Sequence, residues 1–149
     1  MYHRDIRYYC KDRPPLHYAI EFRIDSLVSM LLPHKDKIDD LVGGKSLLHV
    51  AARCGALTTI KQLISLGADV NRSSGAEEKC MTVLHFAAEG GHAEALKLLI
   101  KHGAMVDSRS TSLSTPFYRA ARSGSLEALK TLYDAGADIN AKTWDHWTP

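Results

Sequence analysis

The sequence predicts an all-α solenoid of stacked antiparallel helix pairs, and three observations carry that expectation. First, a short phrase recurs along the 149 residues: PPLH at 14–17, SLLH at 46–49, TVLH at 82–85 and TPFY at 115–118. Its last positions, His17, His49, His85 and Tyr118, are spaced by 32, 36 and 33 residues. Second, glycines punctuate the last three units, at Gly55, Gly91 and Gly124 in the middle and at Gly67, Gly103 and Gly136 near the end. Third, the run between those glycines is apolar at helical spacing: Leu57, Ile60, Leu63 and Ile64; Ala95, Leu98 and Leu99; Leu126, Leu129 and Leu132. A unit of two short helices cannot bury its apolar face alone, whereas stacked neighbours bury it for one another.

Each element follows from local chemistry. Ser46 and Thr82 are N-cap residues for the first helix, and Pro116 suits its first position. Small residues come next, at Ala19, Ala51-Ala52, Ala87-Ala88 and Ala120-Ala121, and they let helices approach closely. The mid-unit glycine stops the first helix, and the glycine of GADVN (67–71), GAMVD (103–107) and GADIN (136–140) stops the second. Asp25, ahead of Ser26 and Leu27, reads as an N-cap rather than a catalytic acid. The approximate units are 11–42, 43–75, 76–109 and 110–142 within a single domain, 1–149, and a fifth begins at 143.

Composition bounds the function. Nineteen Lys and Arg against 17 Asp and Glu give a net charge of +2, too balanced for nucleic-acid binding through bulk charge. No apolar run approaches the roughly 20 residues of a membrane span, and the opening MYHRDIRYYCKDRPP has no apolar signal core. Three sparse cysteines, Cys10, Cys54 and Cys80, suit a reducing compartment, so a cytoplasmic or nuclear, non-secreted protein is expected.

The grammar resembles the ankyrin repeat, with its T-P-L-H-x-A signature and 33-residue period, over nearly the whole chain from about Lys11 to Pro149. The resemblance implies an ankyrin-repeat solenoid with projecting turn fingers. It also implies that the signature histidine hydrogen-bonds the backbone between repeats, pairing Ser46 with His49 and Thr82 with His85. The departures are specific. Pro14 stands for the hydroxyl and Arg23 for the mid-unit glycine in the first copy, which reads as a modified cap. Tyr118 replaces the histidine in the fourth. The finger glycine is kept as Gly44 but is Cys80, Leu113 and His146 elsewhere, so altered turns are expected there. The 36-residue spacing places three extra residues within RSSGAEEKC (72–80), implying a longer and more mobile finger. The fifth copy stops at Thr148-Pro149, which reads as an excised piece of a longer protein with residues 143–149 poorly ordered. Asparagines of the ending phrase are hydroxylated in some ankyrin proteins, and the matching positions are Asn71 and Asn140.

No complete catalytic constellation is legible, so no catalytic residue, cofactor or metal site is assigned. His49 and His85 recur because the unit recurs. There is no C-x-x-C pair, and Glu89-Gly90-Gly91-His92 lacks the Lys-Ser/Thr of a phosphate loop. What the sequence offers is a surface. Finger and first-helix positions supply Arg13, Phe22, Lys45, Arg53, Lys79, Met81, Glu89, Arg109, Arg122, Trp144 and Trp147 as partner-binding candidates. Lys11, Arg13, Lys45, Arg53, Lys79, Arg109, Arg122 and Lys142 outnumber Glu21, Glu78, Glu89 and Asp145, so an acidic or mixed-charge segment of another protein is the expected partner. Both tryptophans fall on one finger, and tryptophan is enriched at binding hot spots. The expected role is a non-catalytic interaction module that binds neither nucleic acid nor membrane. It is expected to be monomeric, with self-association through the C-terminal end as the competing state. The alternative is a regulatory ankyrin region of a larger enzyme or signalling ATPase whose catalytic domain lies elsewhere.

Overall fold

The structure, a computed structural model, describes residues 15–32, 38–145 and 148–149. Among the described residues eight helices form four pairs: α1 (Pro15–Glu21) with α2 (Asp25–Leu31), α3 (Leu47–Cys54) with α4 (Leu57–Ser65), α5 (Val83–Glu89) with α6 (Ala93–Lys101), and α7 (Pro116–Ser123) with α8 (Leu126–Asp134). The first helices pack side by side in the order α1, α3, α5, α7, and each second helix packs behind its own partner. Contact within the first-helix row is closer than along the second-helix row. One core runs its length, through Ile20, Val28, Leu48, Ile60, Leu63, Leu84, Phe86, Leu96, Leu99 and Leu132.

The caps explain why helices this short hold. His49, at the third position of α3, accepts from the Ser46 N–H (3.1 Å) and from its hydroxyl (2.8 Å). His85 does the same with Thr82 at 3.2 and 2.9 Å. With Nδ1 accepting, Nε2 carries the proton and donates into the next unit, to the Met81 carbonyl from His49 (3.2 Å) and the Ser114 carbonyl from His85 (2.8 Å). In the fourth unit Thr115 Oγ1 accepts from the Tyr118 N–H at 3.3 Å, with Pro116 at the first helical position. Asp25 is not a cap: Ile24 occupies that place, and Asp25 opens α2, where its charge suits the helix dipole.

Gly55 ends α3 at φ 64°, and a β-carbon there would fall 2.6 Å from the His92 ring. His92 is held by donating Nε2–H to the Arg53 carbonyl at 3.0 Å. Gly55→Ala is expected to cost roughly 2–3 kcal/mol, the left-handed penalty plus a displaced ring, measurable by urea denaturation. Where the sequence substitutes glycine, the backbone keeps its sign. Arg23, Cys80 and Leu113 adopt φ of 56°, 49° and 56°. The third finger thus keeps the left-handed residue of the first despite lacking glycine. Leu113→Gly removes that penalty and is expected to raise stability by about 0.5–1 kcal/mol, read as a higher urea midpoint.

The lengthened finger is tied to both neighbouring fingers by backbone hydrogen bonds. It folds into a short 3₁₀ turn, Ala76–Glu78. Gly75 N–H donates to the Gly44 carbonyl (2.8 Å), and Thr111 N–H donates to the Lys79 carbonyl (2.9 Å). The C-terminal segment is also anchored where it is described: Thr143 is buried, and Trp144 N–H donates to the Ser112 carbonyl (3.2 Å). On the opposite edge, ending-phrase side chains clamp the next unit. Asn71 donates to the Gly103 carbonyl and accepts from Met105 N–H, each at 2.9 Å, and Asp107 accepts from Asp138 N–H at 2.9 Å. Asn140 lies exposed.

Candidate interaction surface

The candidate residues separate into three groups once placed. Phe22 is 71% exposed at the end of the first pair, and Trp144 is 70% exposed beyond the third finger. Arg53, Lys79, Glu89, Arg109 and Arg122 are exposed as well, Arg109 donating to the Lys142 carbonyl at 3.3 Å. Arg13 and Trp147 lie outside the described residues.

Lys45 and Met81 are where a surface reading does not expect them. Met81 is 5% exposed and belongs to the core, and its carbonyl receives the His49 proton. Lys45 is 7% exposed; its ammonium is paired with the Glu78 carboxylate and lies 5.9 Å from the Phe86 ring centroid. Phe86, edge-on to His49 at 5.1 Å, is thereby covered. Glu78 belongs to the 3₁₀ turn of the lengthened finger, which sets it over Lys45. Both residues leave the list of surface contacts.

The exposed remainder is not uniformly basic. The last turns of the four first helices carry Glu21, Arg53, Glu89 and Arg122, each four residues after the signature position and each exposed. Burial holds His49 and His85 down to about 4, so the imidazoles that tie the units together are neutral donors at physiological pH. Burial, with Glu21 nearby, pushes the Cys54 thiol up, which keeps it protonated and a poor nucleophile. Among the described residues there is no cluster of three His, Cys, Asp or Glu able to hold a metal ion. No helix there is long and apolar enough to cross a membrane. A groove of about 550 Å³ between α6 and α8 is lined by Lys97, Lys101, Lys130, Glu127 and Asp134, which is too charged for a typical small-molecule pocket.

A family model described as ankyrin repeats (3 copies) matches residues 2–74 and again 73–143. The chain belongs to the ankyrin-repeat family. Ankyrin-repeat domains are generally non-catalytic and mediate protein–protein interaction. Relatives include the human transient receptor potential cation channel subfamily A member 1, 35% identical over 61% of the chain and 8% of the channel. Chicken nuclear factor NF-kappa-B p105 subunit is 32% identical over 70% of the chain and 11% of that protein. The human ARF GTPase-activating protein GIT1 is 40% identical over 57% of the chain and 11% of its own length. The ankyrin stack described here therefore spans about a tenth of the length of the relatives it matches.

Proposed function

We propose that this chain is a non-catalytic module that binds another protein through its finger tips and the first-helix row. The observation that carries the reading is the continuity of that face. Fingers joined by backbone hydrogen bonds lead to exposed charged residues in the last turns of α3, α5 and α7. Phe22 and Trp144, at opposite ends, supply exposed apolar and aromatic contacts. Sparse free thiols at Cys54 and Cys80 are consistent with a reducing, cytoplasmic or nuclear setting. The chain acts as a monomer; the exposed α8 residues Leu126 and Tyr133 are the candidate self-contact.

The test is capture of a partner from lysate by residues 1–149, beside Arg53→Glu/Arg122→Glu and Trp144→Ala forms checked by circular dichroism. All three substituted residues are exposed, so the fold is expected to survive. Capture should fall about tenfold with the charge reversal, by loss of a few exposed pairs and addition of like-charge repulsion. Undiminished capture by both folded variants contradicts the reading.

The size of the relatives favours a second reading, in which this is the regulatory ankyrin region of a larger enzyme or signalling protein. A transcript that reads through residue 149 into a catalytic domain supports it. A stop codon directly after residue 149 counts against it.

A further inference from the structure

The charges on the first-helix row alternate. Position four after the signature residue is Glu21 in α1, Arg53 in α3, Glu89 in α5 and Arg122 in α7. Helix electrostatics do not explain this. A helix C-terminus favours cations, which accounts for Arg53 and Arg122 but runs against Glu89 as the last residue of α5. Internal pairing does not explain it either: among the described residues Arg53, Glu89 and Arg122 make no ion pair, while Lys45–Glu78 and Lys97–Glu94 do. An exposed anion at the wrong end of a helix, flanked on both sides by exposed cations, is a pattern with a reader.

Resting on the proposed function above, we propose that the row recognises a partner helix carrying an acid, a base and an acid at seven-residue intervals on one face. The spacing follows from packing. Neighbouring helices lie about 10 Å apart, and a helix rising 1.5 Å per residue covers that distance in about seven residues, close to two turns. The three charges then fall on one side and oppose Arg53, Glu89 and Arg122 in turn. A β-strand covers about 10 Å in three residues, which sends alternate charges to opposite faces. The half-buried Val50 and Cys54 beside Arg53 offer apolar contact to the residues between the charges, which an amphipathic helix supplies. The pattern acid–base–acid reads the same in both chain directions, so it fixes register and leaves polarity to the flanking contacts at Phe22 and Trp144.

The experiment titrates ¹⁵N-labelled residues 1–149 at low salt with three peptides, the first two helical and based on alanine and glutamine, followed by backbone amide shifts. One carries Glu, Lys, Glu at i, i+7, i+14. The second carries the same charges as Glu, Glu, Lys. The third carries Glu, Lys, Glu at three-residue spacing in a proline-rich background. The first should bind about tenfold tighter than the second, because two of its three exposed pairs, each worth a few-fold, become like-charge contacts in the second. Its shifts should centre on Arg53, Glu89 and Arg122. A folded Arg53→Glu/Glu89→Arg/Arg122→Glu protein should prefer a Lys, Glu, Lys peptide instead. Equal binding of the first two peptides, no binding of the first, or tighter binding of the third overturns the proposal. If partner capture is still lost with Arg53→Glu/Arg122→Glu in any of those cases, the groove reading stands and only the alternation falls. If capture is also unaffected, both fall.

Discussion

Replacing Phe86 by alanine is expected to lower the unfolding free energy by about 3–5 kcal/mol, the usual range for emptying an aromatic core site. The side chain is almost wholly buried, edge-on to His49 and beneath the Lys45–Glu78 pair. Its removal leaves the Lys45 ammonium over a void and takes away the packing that joins the second unit to the third. A solenoid is held by nearest-neighbour interfaces, so damage in the middle also uncouples the two sides. The denaturant slope should therefore fall along with the midpoint, because the halves begin to unfold separately. Leu126→Ala makes the control. Leu126 is 76% exposed on the face of α8, and the change is expected to stay within about 0.5 kcal/mol. Urea unfolding of the two variants, followed by circular dichroism, checks both.

Acidification is the second large effect. His49 and His85 have an ordinary value of 6.5 when the chain is unfolded and are held to about 4 in the fold, chiefly by burial. The unfolded chain therefore binds the protons that the folded chain refuses. Their contribution is complete above pH 6.5 and is lost as the pH falls from there toward 4. By pH 5 the loss is about 2 kcal/mol for each histidine, so roughly 4 kcal/mol together. Protonation also puts a proton on Nδ1, which accepts from Ser46 and Thr82, and so breaks the caps. Urea midpoints between pH 8 and pH 5 measure the loss. The imidazole resonances of His49 and His85 should not titrate in that range while the chain remains folded.

The stack was legible because its code is local. Signature histidine, hydroxyl cap and stop glycine are each fixed by the backbone of one unit, and the recurrence supplies the register. The histidine contacts, Ser46 with His49 and Thr82 with His85, follow from that register. Long-range placements were not legible. Lys45 reads as a finger cation, and only folding back of a lengthened finger brings Glu78, 33 positions away, onto it. Met81 looks like an exposed finger residue because the same insertion hides how tightly position 81 is drawn against His49. In α6 the pattern singles out Ala95, Leu98 and Leu99; the structure adds Leu96 to the core, wholly buried. The alternation along Glu21, Arg53, Glu89 and Arg122 was visible letter by letter, yet a sum of charges conceals it. The order carries meaning only once the four helices are side by side.

Binding of a partner by the first-helix row and fingers is tested by hydrogen exchange. Exchange of residues 1–149 is compared free and bound to the protein recovered in the capture experiment. Added protection is expected at the ends of α3, α5 and α7 and in the fingers around residues 79 and 111–113, with α4, α6 and α8 unchanged. Protection confined to the outer helices, with the ends of α3, α5 and α7 exchanging as in the free chain, would contradict it.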